Sequence, residues 1–468
     1  MEIYIGSGVL VKGPVQEVME YCDSRLVIDN PEYISRLQAG RWLGNTPRKL
    51  YLYERKSEYV YVPYGCKNDI LAIGKKYDAD VVRWCWEKYP GIEQFKADYN
   101  SNITLYDYQQ GVVEAMIKAV NGVVIMPCGS GKTQTALEVV SKLGLKTLWL
   151  THTQDLLNQS MERAKSCFDC GKEMFGTITA GRVNISKGIT FATVQTMCRI
   201  NLQRYKNEWA VVIVDECQHL VGTPTRMTQF YQVISNLYAP YKFGLTATPN
   251  RTDGLEQSMY ALLGGKIAEV DRSCVANTTC SVKVETIDTG YYPDIDEVLN
   301  GDGTINYTAL VADLINNHER FLKAVTIINT ECRSYSIVLA NRVAYLQNLC
   351  NAYAGKSICL SAMGVSKKAK QERKEALAKL NSGEIDCIFA TYQLAAEGLD
   401  CPNLRHIVFA TPEKNERLIT QAVGRVARKA DFKAYGTVID LVDDFGMFKG
   451  WARRRMNIYK KLGCEIAK

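Results

Sequence analysis

The sequence predicts an α/β protein: two tandem parallel-sheet domains preceded by a small N-terminal α+β domain. Three observations predict it. Short apolar runs that end in polar residues alternate with helical stretches from about residue 105 onward. The alternation restarts after a weakly patterned interval near 271–310, where "NGDG" at 300–303 signals a turn. The 468-residue length is too great for one ordinary core and calls for two or three domains. The boundaries fall at 1–100 for the accessory domain, 101–280 and 281–445 for the two sheet domains, and 446–468 for a basic C-terminal tail.

In the first hundred residues, "KLYLYERKSEYVYVPYG" (49–65) alternates apolar and polar positions around a charged center, the pattern of a β-hairpin. "DADVVRWCWEKYPGIEQF" (78–95) reads as a helix broken at Pro90. The aromatics of this small domain are read as core, with stacking on nucleic acid as the other use. In the first sheet domain the strands are "VVIMP", "TLWLTH", "ITFAT", "VVIVDE" and "KFGLTAT", separated by helices such as "TQTALEVVSKLG". In the second they are "SYSIVLA", "IDCIFAT", "LRHIVFAT" and "GTVIDLV". Short buried strands with helices between them form parallel sheets.

The stretch "VVIMPCGSGKTQTALEVV" sets a glycine-rich loop between a strand and a helix, the context of a phosphate-binding loop. Gly129 and Gly131, with Cys128 and Ser130 beside them, leave backbone amides free to turn inward on phosphate oxygens. The helix N-terminus adds partial positive charge. Lys132 would reach the terminal phosphates and the Thr133 hydroxyl would ligate Mg²⁺. Met126 stands where the strict fingerprint has its first glycine. A second acidic site must complete the magnesium shell. In "AVVIVDECQHLVG" an apolar strand ends in two carboxylates. Asp215 would hold the metal, directly or through water, and Glu216 would orient and deprotonate the attacking water.

Here the residues resemble a known family. "DECQ" followed by His219 looks like the DExH box of superfamily 2 helicases, and "GLTATPNRTDG" (244–254) looks like their third motif. "ATYQLAAEGLDCPNL" (390–404) and "QAVGRVAR" (421–428) match the fifth and sixth motifs, in the family's order. The resemblance is strongest to the branch containing the XPB repair helicase, phage UvsW and prophage-encoded DNA helicases. It implies that both sheet domains are RecA-like and that ATP and Mg²⁺ are used. Gln109 would read adenine and Tyr106 would stack on it. Gly398 and Asp400 would sit at the nucleotide cleft. Gln421 would sense the γ-phosphate, and Arg425 and Arg428 would be arginine fingers that complete the site when the cleft closes. Gln218, His219, Thr246 and Thr248 would couple the nucleotide to the strand track; which of Gln218 and His219 carries the coupling bonds stays open. Thr151, Thr193 and Thr391 would contact strand phosphates.

The implied function is an ATP-dependent DNA helicase that couples hydrolysis to translocation and strand unwinding. Double-strand translocation without unwinding, RNA unwinding, and a nucleotide-gated clamp without turnover are the alternatives; the intact Glu216 and Arg428 speak against the clamp. The implied protein is monomeric or transiently associated, in the cytoplasm of a bacterium or phage-infected host. Composition agrees with this class. Net charge is +7, and residues 446–468 carry seven Lys or Arg against one acid, so they supply +6 of it. That charge suits a phosphate backbone or a solvated helix face. The basic run 366–383 mixes in Glu372 and Glu375 and reads as a solvated face. Apolar runs are far shorter than the ~20 residues of a membrane span, and the N-terminus lacks a signal-peptide pattern. The 16 cysteines are read as reduced thiols; "CFDC" (167–170) has no second pair to make a zinc site.

Overall fold

A computed structural model describes residues 1–82, 96–179, 181–223, 228–249, 254–275, 279–360, 367–398, 401–430 and 433–467. It divides into two compact units: Met1–Pro127 with Gly131–Asp271, and Arg272–Lys468 with Cys128–Ser130.

The first unit opens with a module built on β1 (Glu2–Ile5), β2 (Gly8–Lys12), α1 (Gln16–Arg25), β3 (Val27–Asp29), α2 (Pro31–Gln38), β4 (Lys49–Tyr51), β5 (Glu54–Arg55), β6 (Tyr59–Pro63), α3 (Lys67–Lys76) and β7 (Asp80–Val82). Its main sheet runs β5-β6-β2-β1-β7, and β3 pairs with β4 separately. The expected hairpin is present only in part. Glu54 and Arg55 pair with Tyr61 and Val60, whereas Lys49–Tyr51 pairs back to Val27–Asp29. The expected helix over 78–95 begins instead as β7, because Asp80–Val82 pairs in parallel with Glu2–Tyr4 and satisfies its backbone there. Residues 83–95 lie outside the described residues.

Then follow α4 (Asp107–Ala119), β8 (Asn121–Ile125), α5 (Lys132–Leu143), β9 (Thr147–Thr151), α6 (Gln154–Cys167), β10 (Phe175–Thr179), β11 (Arg182–Asn184), β12 (Ile189–Thr193), α7 (Val194–Met197), β13 (Val211–Asp215), α8 (Gln229–Asn236), β14 (Tyr241–Thr246), α9 (Glu256–Leu263) and β15 (Lys266–Glu269). The sheet order is β11-β10-β12-β9-β13-β14-β8-β15, parallel except for the β10–β11 hairpin. The five central strands β8, β9, β12, β13 and β14 are buried nearly throughout. This explains their continuous apolar character, since helices cover both faces.

The N-terminal module is fused to this sheet rather than tethered to it. Lys242, near the amino end of β14, has no exposed surface and donates to the carbonyls of Ser7, Ile234 and Leu237 at 3.3, 3.3 and 2.7 Å. Its ammonium lies 4.4 Å from the center of the Tyr64 ring, and the Tyr64 hydroxyl donates to Pro240 O at 2.8 Å. Gly65 is packed so closely on the C-terminal end of α9 that a Cβ would run into Tyr260 O, Ala261 O and Gly264 N. The seam therefore lies at the amino ends of the strands. The opposite, carboxyl ends are left for the site.

The second unit comprises β16 (Ser281–Asp288), α10 (Tyr307–Asn316), α11 (His318–Glu331), β17 (Ser336–Ala340), α12 (Val343–Ala352), β18 (Ser357–Leu360), α13 (Lys367–Ser382), β19 (Cys387–Thr391), α14 (Tyr392–Gly398), β20 (His406–Phe409), α15 (Glu416–Val426), β21 (Tyr435–Val442), α16 (Gly446–Lys461) and β22 (Glu465–Ile466). Its sheet is parallel in the order β18-β19-β17-β20-β21-β16-β22. Residues 446–467 are part of this fold and not a free tail. Phe448, Trp451, Arg455 and Ile458 fall at helical spacing on one buried stripe, and Arg455 donates to Asp440 at 2.8 Å. Lys449, Arg453, Arg454, Lys460 and Lys461 remain exposed on the other side. A second buried pair, Arg320 with Asp443, also bonds Tyr345 and Ala410 O.

Lys242→Met keeps the stem but takes the ammonium donor from the carbonyls of Ser7, Ile234 and Leu237. It is expected to lower the stability of the first unit by about 2–4 kcal/mol, read as a shift of the urea midpoint followed by near-ultraviolet circular dichroism. An unchanged midpoint would mean that the ammonium contributes nothing to the seam.

Candidate active site

Strand order decides which loops meet in the first unit. β14 lies between β13 and β8, so the chain ends after β8, β14 and β13 stand side by side at the carboxyl edge. Asp215 is in register with Leu245, and Thr246 with Ile125. The loop after β8 turns through Gly129 (φ +82°) and Gly131 (φ +77°), and Gly131 caps α5 in a left-handed conformation. The positive φ at Gly131 favors glycine, and a Cβ there would also push on the Gln109 side-chain amide. Gln109 is buried, and its Oε1 accepts from the Tyr106 backbone at 3.0 Å. The Tyr106 ring is half exposed and stacked on Tyr108, with centers 5.8 Å apart. Lys132 donates to Met126 O and Pro127 O, both at 3.3 Å. Thr133 lies in the first turn of α5.

Asp215 is 7% exposed. Burial pushes its carboxyl up to about 7, Glu216 adds like-charge repulsion, and Lys132 opposes both. Such a carboxylate is matched to a cation, and with the hydroxyl of Thr133 in the first turn of α5 it could hold Mg²⁺. Glu216 takes a left-handed backbone (φ +53°), unusual for a residue with a Cβ, which turns the chain sharply after the strand. Its amide donates to Asp215 Oδ1 at 3.0 Å.

From Glu216 a continuous chain of hydrogen bonds runs to β14. Gln218 Nε2 donates to Glu216 Oε2 at 2.6 Å. Thr246 Oγ1 donates to Gln218 Oε1 at 2.7 Å, and the Thr248 amide donates to Thr246 Oγ1 at 3.0 Å. Gln218 is therefore the residue that bonds to both neighbors. His219 instead stacks on His152, with ring centers 4.2 Å apart.

In the second unit, Gln421 and Arg425 lie on α15 and Arg428 follows its end. Gln421 Oε1 is buried without a hydrogen-bond partner. The segment carrying the arginines is held from two sides. The Cys280 amide donates to Ala427 O at 2.9 Å. Lys433 Nζ donates to Val426 O at 2.5 Å and to Arg428 O at 2.8 Å, where its charge also faces the negative end of the helix. Gly398 ends α14, and Asp400 lies outside the described residues, as do residues 250–253 of the third motif.

Two family models match this chain: the res subunit of type III restriction enzymes over residues 102–251, and the helicase conserved C-terminal domain over residues 318–430. The chain belongs to the superfamily 2 helicases. This helicase is 27% identical over 402 residues to the DNA 3′-5′ translocase XPB2 of Sulfurisphaera tokodaii, covering 78% of this chain and 88% of that one. It is 27% identical over 432 residues to a protein of Acanthamoeba polyphaga mimivirus named as an ATP-dependent RNA helicase, covering 89% and 77%. A solved structure of the type ISP restriction-modification enzyme LlaBIII bound to DNA superposes with a TM-score of 0.55 at 15% identity, covering 92% of this chain and 34% of that one. The fold is therefore RecA-like in both large sheets, and among the described residues no helix is long and apolar enough to cross a membrane.

The three threonines expected to touch strand phosphates all end strands. Thr151 and Thr193 are register partners on β9 and β12, and Thr391 ends β19. All three are buried and locally bonded: Thr151 to Thr153 O, Thr193 to Thr196 Oγ1, and Thr391 to the Leu394 amide. The sequence reading missed His152, whose carbonyl accepts from Gln195 at 2.7 Å, and Lys433. His152 could have been found as the polar residue ending "TLWLTH"; Lys433 carries no local signal.

The buried Asp215 makes a prediction with a definite sign. Unfolded, its pKa is near 3.9; folded, it is about 7. The raised value costs no stability below about pH 4, and the cost grows through that window to its full size above about pH 7. Asp215→Asn is expected to stabilize the nucleotide-free helicase at pH 8 by up to about 4 kcal/mol, and to leave it unchanged near pH 4. Thermal denaturation at the two pH values checks this; destabilization at pH 8 would mean that the carboxylate is already neutralized by its surroundings.

Proposed function

We propose that this chain is an ATP-dependent DNA helicase that couples hydrolysis to translocation and strand unwinding. The observation that carries the reading is the hydrogen-bond chain from Glu216 through Gln218 to Thr246 and Thr248. It ties Glu216, taken in this reading as the general base, to the strand between it and the phosphate loop.

In this reading the Cys128–Gly131 amides and Lys132 bind the triphosphate. Gln109 recognizes adenine, with Tyr106 against the base, and Asp215 and Thr133 hold Mg²⁺. The metal, when bound, neutralizes phosphate charge. Glu216 accepts the proton of the attacking water as the bond to the γ-phosphorus forms and ADP leaves. Gln421 senses the γ-phosphate, and Arg425 and Arg428 stabilize charge developing on the transferred group. Loss of the γ-phosphate relaxes the hold on Glu216. Gln218 passes that change to Thr246, and the strand contacts at Thr151, Thr193 and Thr391 respond. Gly398 and Asp400 belong to the same nucleotide-responsive set. DNA is favored over RNA by the XPB-type relative and by the Thr246-Ala247-Thr248 motif. The reading takes the protein as monomeric or transiently associated, in the cytoplasm.

ATPase assays with single-stranded DNA, duplex DNA and RNA rank the substrates, and displacement of one strand of a fork separates unwinding from translocation. Stimulation by RNA alone would overturn the assignment to DNA. Glu216→Gln is expected to keep ATP binding near the parent value while lowering turnover by roughly 10²–10⁴-fold; parent-rate hydrolysis would place the general base elsewhere. Gln218→Ala is expected to retain part of the unstimulated ATPase and lose most of the DNA stimulation, measured as the ratio of the two rates. An unchanged ratio would remove Gln218 from the coupling path.

A further inference from the structure

The N-terminal module carries a surface that the nucleotide site does not use. α2 buries none of its residues, and Ile34 and Leu37 on it are 40% and 58% exposed. In the strap that follows, residues 39–48, Trp42 is 86% exposed, the most of any large apolar side chain among the described residues. An indole held in water at that level is a cost the fold has no internal reason to bear.

The strap is nonetheless anchored. Buried Asn30 donates to Pro47 O at 2.7 Å through its side chain and to Arg48 O at 3.0 Å through its amide. Arg36 donates to Trp42 O at 3.3 Å, and Arg36 O accepts from the Arg41 amide at 2.9 Å. The indole covers Gly44, whose left-handed backbone (φ +51°) turns the strap beneath it. The ring is thus held out by backbone bonds on both sides, with little ordering left to be done on binding.

Charge selects the partner. From Ser35 to Tyr53 there are four cations, Arg36, Arg41, Arg48 and Lys49, and no carboxylate. Glu32 pairs with Arg36 and Asp29 with Lys49. Arg41 and Arg48 are exposed, and Arg48 shares the Asp29 carboxylate electrostatically with Lys49. A presented aromatic flanked by exposed guanidinium groups matches unpaired bases on a polyanionic backbone: the base stacks on the ring and the phosphates meet the arginines. An apolar protein partner would offer this excess of positive charge nothing to meet.

We propose that the α2–β4 strap is a single-strand binding platform, with Trp42 stacking on a base and Arg41 and Arg48 contacting phosphates. It rests on the helicase reading only for the class of ligand. Because the module is locked to β14 and α9, the platform is a fixed part of the first unit.

The test uses the full chain and a fluorescein-labeled single-stranded DNA, with binding followed by anisotropy without nucleotide. Trp42→Ala is expected to weaken binding by about 5- to 150-fold, the range for loss of one base–aromatic stack. Trp42→Tyr should stay within a few-fold of the parent, because any aromatic face can stack. The Arg41→Ala, Arg48→Ala double variant should flatten the dependence of log affinity on log salt by about 1.4, the release expected for two single-strand phosphates. Unstimulated ATPase should be unchanged in all three, which also reports correct folding. Parent affinity in Trp42→Ala overturns the proposal. So does a variant that shifts the sedimentation coefficient without altering DNA affinity, which would identify the patch as a protein contact. Failure of the helicase reading looks different: the parent chain itself would neither bind the oligonucleotide nor hydrolyze ATP.

Discussion

The two units depend on carboxylates and cations placed where neither would stay alone. Asp215 is buried at a strand end beside a second acid, and Lys132 only partly offsets the cost. The surrounding sheet tolerates this because strands β8, β14 and β13 are locked in register by their backbones, whatever their terminal side chains do. The same logic recurs at Arg320–Asp443 and Arg455–Asp440, where both partners are out of water; all three Arg320 nitrogens are bonded, and Arg455 also donates to Glu413 O. Those pairs are complete within the protein. The Asp215 site is not, and it is the one expected to take a ligand.

Much of the fold was legible in the sequence, for a physical reason. A strand covered on both faces must be largely apolar, so β8, β9, β12, β13 and β14 announce themselves as short apolar runs. Edge strands carry no such demand. Arg182–Asn184 is fully exposed and Lys266–Glu269 has no buried residue, and neither stood out from its surroundings. Residues 446–468 read differently for another reason: the eye follows their seven positive charges, whereas the stripe Phe448, Trp451, Arg455, Ile458 decides the packing. One of the seven, Arg455, turned out to be a core residue.

The candidate site divides the same way. Motif residues that act through backbone geometry, such as Gly129 and Gly131, could be placed from spacing alone. Relations between side chains could not. That Gln218 reaches both Glu216 and Thr246, while His219 turns to His152, depends on strand order, which places β14 next to β13. Lys242 is the extreme case. Its partners, Ser7 and Leu237, lie on different modules, and a single lysine in an apolar run gives no hint of them.

The strand Ser281–Asp288 is bordered by residues 435–442 on one side and 465–466 on the other. On a ribosome it therefore emerges with both edges open and waits for some 150 further residues before its first neighbor arrives. Val282 and Val284 alternate with Lys283 and Glu285, so charges of both signs interrupt its apolar positions. In the finished fold these charges look incidental; in the nascent chain they guard against premature pairing with a neighboring polypeptide.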